Sequence, residues 1–465
     1  MSELPDHVPP ARVPEARPSA LGIVIRRSAG GWELLFGRRA ATSRFMPGYL
    51  AFPGGRFERG DGSEADPLAW VRCVAREMRE ESGLDIPVAS WRPAGERTTP
   101  PFFPVRFRTA FFVAELPPSA TLPETPPQPE EIATLEFRNA PEMLEAWARG
   151  EVLVPPPVLP ILREAALRPP ASAEEFATRV GALNASEQAL PRIEFVPDVW
   201  VWPTPTATLP PATHTNVWMP GGARFVVIDP GCGDPEEIER IVRVVRRREA
   251  AGSRATEIVL THHHRDHVDG AAALARALDL PVAAHAATLD RVAGKLHGVE
   301  TRAIADGERL DLGGQTWTAL HTPGHAPGHL AFHEPARRWM IAGDLVSGLS
   351  TILVGLVDGD MGLFMDSLRR VASLGVRSVL PSHGAPLPGK ALAAALIHRE
   401  ARELRVMAAL AADGSHELAG IAAEAYADTP AAPVPLRESQ TRAHLEKLER
   451  EGRVTRGMSG WSAVR

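Results

Sequence analysis

Residues 261–267 read Thr-His-His-His-Arg-Asp-His. Within them His262, His264, Asp266 and His267 keep an H-x-H-x-D-H spacing that can load two adjacent metals from one turn. Imidazole nitrogen and carboxylate oxygen suit zinc, and also iron or manganese. More ligand types follow in order: His321-Thr-Pro-Gly-His325-Ala-Pro-Gly-His329, Ile341-Ala-Gly-Asp344 and Val379-Leu-Pro-Ser-His383. Two divalent ions about 3.5 Å apart lower the pKa of a shared water and polarise a carbonyl or phosphoryl oxygen. Such a centre needs no serine or cysteine nucleophile. Cys232 lies outside the motifs and reads as a small packing residue. The bland alternative is a polar loop rich in histidine, but four matching positions in one hexapeptide argue against it.

The flanking elements support this chemistry. Thr256-Glu-Ile-Val-Leu-Thr261 reads as a buried strand, and Asp269-Gly-Ala-Ala-Ala-Leu274 opens a helix. His325 follows an apolar strand over 316–320, and Asp344 and His383 each end a strand. Each candidate therefore stands at a strand end, where α/β sheets place their ligands. Residues 236–249 follow Asp234-Pro235 and put Ile238, Ile241, Val242 and Val245 on one helical stripe.

A second constellation lies near the other end of the chain. Phe52-Pro-Gly-Gly55 precedes Arg76-Glu77-Met-Arg-Glu80-Glu81-Ser-Gly83. Pro67 can start a helix, because its missing N–H costs nothing in the first turn. On that helix Glu77, Glu80 and Glu81 fall at i, i+3 and i+4, on one face. Three carboxylates packed together repel unless a cation sits among them, and magnesium suits an all-oxygen site facing a pyrophosphate. Arg76 can hold one carboxylate in place. The alternative is a solvated acidic face.

The histidine motifs resemble those of the metallo-β-lactamase superfamily from about Pro191 to Leu396. The resemblance implies that His262, His264 and His325 bind one metal, that Asp266, His267 and His383 bind the other, and that Asp344 bridges them. Asp266 is thereby both ligand and catalytic residue. Asp229, in Val-Val-Ile-Asp-Pro-Gly, would support the metal histidines from behind. The implied cofactors are two Zn2+ ions, or Fe or Mn.

The glutamate segment, with Gly55 upstream, resembles a Nudix box, G-x5-E-x7-R-E-U-x-E-E-x-G-U, over roughly Ser19 to Trp147. Its second half matches at every fixed position. Its first half departs: Asp61 stands where the pattern has Glu, and the spacing to Arg76 is seven residues too long, around Gly62-Ser-Glu-Ala-Asp-Pro67. Such an expanded box resembles the coenzyme A diphosphatase branch. It implies Glu77, Glu80 and Glu81 as catalytic ligands of Mg2+ or Mn2+, and a nucleotide or coenzyme A derivative as substrate.

The 465 residues suggest about three domains. A composition of 44% hydrophobic and 23% charged residues allows large cores, and the net charge of −6 carries no nucleic-acid signature. Two cysteines, Cys73 and Cys232, fit a reducing cytoplasm. The acidic, proline-broken start lacks the features of a signal peptide, and no apolar run is long enough to span a membrane.

Beyond Leu396 the pattern turns helical over 398–412, 416–427 and 438–451, then allows a hairpin from Arg453. This tail resembles a winged helix and, with Phe364-Met-Asp-Ser-Leu368, the β-lactamase-like endoribonuclease branch. It holds ten Lys/Arg and ten Asp/Glu, so it is nearly neutral. Arg437, Arg442, Lys447, Arg450, Arg453 and Arg456 could still form a local patch for single-stranded RNA. The alternative is a cap on the metal domain, with Leu404, Met407 and Leu410 as its inner stripe.

The expected architecture mixes α+β and α/β domains: an arm at 1–18, a Nudix-like α/β/α domain at 19–190, a metallo-β-lactamase αββα sandwich at 191–396 and a small winged-helix-like domain at 397–465. The expected function is bifunctional hydrolysis, of a pyrophosphate in the amino half and of a phosphodiester such as RNA in the carboxyl half. A thioester or other carboxylic ester is the alternative for the second site, and a non-catalytic nucleotide-binding module for the first. Of the other histidines, His263 is expected to face solvent, His321 to stabilise its turn, and His329 to support the site or reach substrate. His214 has a weaker case.

Overall fold

The computed structural model describes residues 14–43, 46–100, 105–186, 192–355, 358–410, 416–458 and 460–464. Residues 1–13 of the expected arm lie outside the described residues. The chain divides into two compact units, Ala11–Val201 and Trp202–Arg465. The border falls inside the strand Val199–Pro205, later than the expected 190/191. Residues just before it stay with the first unit because Trp147 Nε1 donates to the Phe195 carbonyl at 2.7 Å and Arg163 pairs with Glu194 at 2.7 Å.

In the first unit the strand Ala16–Ser28 runs parallel to Arg106–Leu116, in register from Ala16 opposite Arg106. Residues 16–18 are therefore sheet, not arm. Alternation along this strand buries both faces of the sheet. Ile23 and Ile25 join Phe36, Phe111 and Val113 in a core that includes side chains of the helices Ala140–Ala148, Val158–Leu167 and Ala173–Ser186. Ala20 and Val24 point the other way, into a core with Val74 and Met78 of the helix Pro67–Ser82. The result is the expected α/β/α layering. Asp66 caps the Pro67–Ser82 helix by accepting from the Leu68 amide, and Gly83 ends it in a left-handed conformation at φ 72°. The Ala173–Ser186 helix has a weak sequence signal, since only Phe176, Ala177, Val180 and Asn184 are buried on it.

The second unit holds two sheets. One orders the strands Thr301–Ala303, Val282–Ala284, Arg254–Leu260, Arg224–Ile228 and His214–Pro220. The other orders Arg309–Asp311, Thr316–His321, Leu330–Glu334, Trp339–Gly343, Ser378–Pro381 and Leu387–Pro388. Backbone bonds stitch the two at one edge: Leu330 N to Thr261 O at 2.8 Å, and Asn216 N to Ser382 O at 2.7 Å. Loops from both sheets open on that edge. The helix Pro235–Ala250, capped by Asp234, belongs to the outer layer of this αββα sandwich.

The tail departs from expectation at its start. One helix, Lys390–Ala408, runs without a break through the expected 396/397 border. The helices Leu418–Ala425 and Val434–Arg450 and a hairpin of Val454–Gly457 with Gly460–Ala463 follow. Val406, Leu410, Ile421, Leu445, Leu448 and Trp461 form their core. Of the expected inner stripe, Leu410 is buried and Met407 packs on this core, but Leu404 is 67% exposed. The buried face instead carries Arg399 and Arg402, which donate to the Ile352 and Ala425 carbonyls. No described helix is long and apolar enough to cross a membrane.

Candidate metal centres

Asp229 ends the strand Arg224–Ile228 in a left-handed conformation, φ 55°, which turns the chain across the sheet edge. Aspartate tolerates that region better than most side chains. The following Gly231 packs on the ligand loop, and a Cβ there would run into the Asp266 carbonyl. The two loops are thus fixed to one another by backbone contact.

Three nitrogens converge beside them. His264 Nδ1 lies 3.0 Å from both His262 Nε2 and His325 Nε2. Ligands of a tetrahedral zinc at about 2.0 Å stand about 3.3 Å apart, so the spacing is that of a coordination shell. Burial pushes His262, His264 and His325 below the ordinary histidine pKa, so all three are held neutral. Neutral imidazoles facing one another with lone pairs are favourable only around a cation.

Hydrogen bonds select which nitrogen is offered. Asp229 Oδ1 accepts from the Thr261 amide and Oδ2 from the Thr261 hydroxyl, each at 2.7 Å. That hydroxyl is committed as a donor, so it accepts from His262 Nδ1 at 2.9 Å. Asp229 Oδ2 also accepts from His267 Nδ1 at 2.9 Å. His325 Nδ1 donates to Leu353 O at 2.8 Å, and His383 Nδ1 to His214 O at 2.9 Å. In each case Nε2 is left as the free lone pair.

Asp266, His267 and His383 form a second group of converging ligand atoms. Asp344 lies between the groups. Its Oδ2 is 3.5 Å from His325 Nε2 and 3.7 Å from His267 Nε2, and its Oδ1 is 3.5 Å from His383 Nε2. Burial would lower His267, but Asp266, Asp229 and Asp344 outweigh it and push it up to about 10. His267 Nε2 and Asp344 Oδ1 are buried with no hydrogen-bond partner. Two buried lone-pair atoms left without a donor at one site fit a metal pair with these ligands.

The remaining histidines sort by their partners. His329 is fully buried; its Nε2 accepts from the Asp344 amide at 2.9 Å and its Nδ1 donates to the Thr322 hydroxyl at 2.8 Å. It holds the backbone of Asp344 and has no nitrogen left for a substrate. A Cβ at Gly343 would meet that ring, which explains the glycine. His321 bonds Pro327 O at 2.8 Å within its turn. His263 does not face solvent freely: its Nε2 sits 3.2 Å from Asp358, which also accepts from Arg291. Asp358 Oδ1 lies 4.0 Å from His264 Nε2. No motif announces Asp358.

In the other unit, Arg76 organises the carboxylates. It makes a bidentate pair with Asp61, Nε to Oδ1 and Nη2 to Oδ2 at 3.0 Å each. Burial would raise the Asp61 carboxyl, but Arg76 and the Glu58 amide hold it below its ordinary value. Arg76 Nη1 bonds Glu77 Oε1 at 3.0 Å and Glu80 Oε2 at 2.9 Å. Glu81 turns instead to the Gly54 amide at 2.7 Å. A Cβ at Gly55 would strike the Glu77 carboxylate, so any larger residue there would displace that side chain. Burial pushes Glu77 up to about 7 and Glu81 to about 8. Such costly carboxylates beside a glycine turn suit a divalent cation. The three glutamates share a face, yet groups of three ligand atoms within 4.8 Å occur, among the described residues, only around the histidines.

The tail's basic residues are mostly engaged. Lys447 is buried and pairs with Glu403 and Glu451, both at 2.8 Å. Arg450 pairs with Asp360 at 2.6 Å, and Arg453 with Glu403 at 3.2 Å. Arg442 is exposed.

Family models match in chain order: a NUDIX domain over residues 16–154, the metallo-beta-lactamase superfamily over 210–383, and the beta-lactamase associated winged helix domain over 418–461. The Lactamase-like protein adaB of Aspergillus niger is 32% identical over 200 residues, 42% of this chain and 58% of that protein. The Lactamase-like protein aptB of Emericella nidulans is 32% identical over 42% of this chain and 60% of its own length. The chain thus spans under two thirds of these relatives. A beta-lactamase domain protein from Burkholderia ambifaria shares the fold, with TM-score 0.50 and 22% identity over 60% of this chain and 94% of that one.

Proposed function

We propose that this chain, a NUDIX domain followed by a metallo-beta-lactamase superfamily domain and its associated winged helix, is a bifunctional hydrolase with two separate metal sites. The observation that carries the second site is the pair of converging ligand groups with Asp344 between them. Zn2+, Fe or Mn ions fit its nitrogen-rich donors. When bound, such ions activate water and polarise the oxygen of the scissile group. The chain's part is to fix the donors. Asp229 sets the tautomers of His262 and His267, and His329 holds the backbone of Asp344.

For this site a carboxylic ester or thioester is the better-supported substrate class. A phosphodiester such as RNA needs phosphate contacts from Arg442, Lys447, Arg450 and Arg453, and three of these are tied to Glu403, Glu451 or Asp360. In the amino half, Arg76 and the glutamate helix support hydrolysis of a nucleoside diphosphate or coenzyme A pyrophosphate with Mg2+ or Mn2+. The departure at Asp61 is compensated by its bidentate pair with Arg76. Cytoplasmic residence belongs to the same proposal, since two free cysteines suit a reducing compartment.

The test is metal analysis with activity on coenzyme A, a nucleoside diphosphate derivative, single-stranded RNA and a small thioester. Expected are close to two transition metals, zinc-dependent thioester cleavage and magnesium-dependent pyrophosphate cleavage. RNA cleavage without thioester cleavage would reverse the choice at the second site. Nucleotide binding without turnover would leave the amino half a binding module.

A further inference from the structure

Two chains of contact run from the tail helix Val434–Arg450 to the ligand His325. The first begins at Gln440, which is buried. Its Oε1 accepts from Val354 N at 3.2 Å and its Nε2 donates to Val354 O at 2.7 Å, so both backbone groups of Val354 are held. The neighbouring carbonyl, Leu353 O, accepts from His325 Nδ1 at 2.8 Å. Arg399 braces the same segment, bonding Gln440 Oε1 at 3.4 Å and the Ile352 carbonyl. The helix presses close: Gly355, at φ 82°, would bring a Cβ to 2.9 Å from Ala443 Cβ.

The second chain begins at Arg450, whose Nη2 donates to Asp360 Oδ1 at 2.7 Å. Asp360 caps the helix Met361–Ala372 by accepting from the Leu363 amide, and its own amide donates to Gly324 O at 2.7 Å. Gly324 immediately precedes His325.

From these two links we propose that the winged-helix tail is a positioning element of the metal centre, with Gln440 and Arg450 fixing His325 from two sides; this rests on the binuclear reading above. Val354 is the natural point of control, because its N–H lies in the same peptide plane as Leu353 O, and Gln440 holds both that N–H and the next carbonyl, so Leu353 O cannot swing away. His325 is the one ligand of its group that comes from the second sheet, so its ring orientation depends most on such a brace. Partners of this kind typically change metal affinity or activity 10–100-fold when removed.

The experiment measures zinc affinity by chelator competition, together with kcat and KM for a small ester, in the full chain. Gln440→Met and Arg450→Met should each weaken zinc binding about tenfold and lower kcat more than KM. Arg450→Lys, which keeps the charge opposite Asp360, should recover most of the loss. Arg442→Gln, exposed on the same helix, should match wild type. A merely structural brace would lower the unfolding temperature and leave the folded protein's zinc affinity alone, and that result overturns the proposal. Arg450 is exposed at the helix end, so its variants decide the matter if Gln440→Met does not fold. Wild-type protein that takes up no zinc would refute the binuclear reading itself, and this proposal with it.

Discussion

Asp229 Oδ2 receives two hydrogen bonds at once, from the Thr261 hydroxyl at 2.7 Å and from His267 Nδ1 at 2.9 Å. Through Thr261 it also reaches His262. One carboxylate therefore governs a ligand in each metal group. Asp229→Asn should weaken both metals together, about 10–100-fold, because the amide can donate where the carboxylate only accepts. Sequential titration of metal-free protein checks this. Loss of one metal with the other at wild-type affinity would contradict the shared role.

His264→Ala removes a nitrogen that stands between His262 and His325. Metal content and ester hydrolysis should fall together, since the ligand is lost outright. Full metal content in this variant would overturn the ligand assignment.

The amino site makes a separable claim. Glu81→Gln should abolish magnesium-dependent pyrophosphate cleavage and leave zinc-dependent hydrolysis unchanged, as the ligands are on different units. Asp61→Asn should cost about tenfold, because Arg76 loses a charge-assisted pair worth about 1.5 kcal/mol or more. Asp61→Glu, the usual residue of the Nudix box, should be the milder change. Equal losses in the Asn and Glu variants would show that the pair with Arg76 is not what matters there.

A pH effect is expected in the tail. Burial would raise Glu403, but His444 and Lys447 outweigh it and hold it at about 2. Burial keeps His444 below its ordinary value of 6.5. Both folded values lie below the unfolded ones, so the unfolded chain binds more protons and stability falls as pH falls. For His444 the loss begins below about 6.5; for Glu403 it runs from about 4.5 towards 2. Unfolding temperatures from pH 8 down to pH 2 should decline below 6.5. Glu403→Gln should be less stable at neutral pH, with a shallower decline at the acid end. An unchanged acid profile in that variant would count against the assignment.

How far the sequence revealed this centre depends on how local each signal is. His262, His264, Asp266, His267, Asp344 and His383 were legible as candidate ligands because their motifs sit at strand ends, and the fold brings these candidates together. His325 was legible as a candidate ligand but not as a residue held by the tail. Asp358 and Gln440 carry no motif; they matter through contacts that only the folded chain brings together. Lys447, Arg450 and Arg453 read as a basic patch because a sequence displays charges but not their partners. Leu404 read as core because its spacing fits a helical stripe, yet the buried face is set by Arg399 and Arg402 bonding to carbonyls. In the amino half the expanded box obscured Asp61, whose role emerges only from the geometry of Arg76.

The unbroken helix Lys390–Ala408 carries a practical lesson for dissection of this protein. At 1.5 Å per residue it is a rod of about 28 Å shared by metal domain and tail. A truncation placed at the apparent border would sever the rod in mid-course and discard Arg399. Swapping the tail for that of a relative would likewise have to carry the whole rod and the segment Ile352–Gly355 beneath it. The unit of exchange in this protein is therefore larger than its domain borders imply.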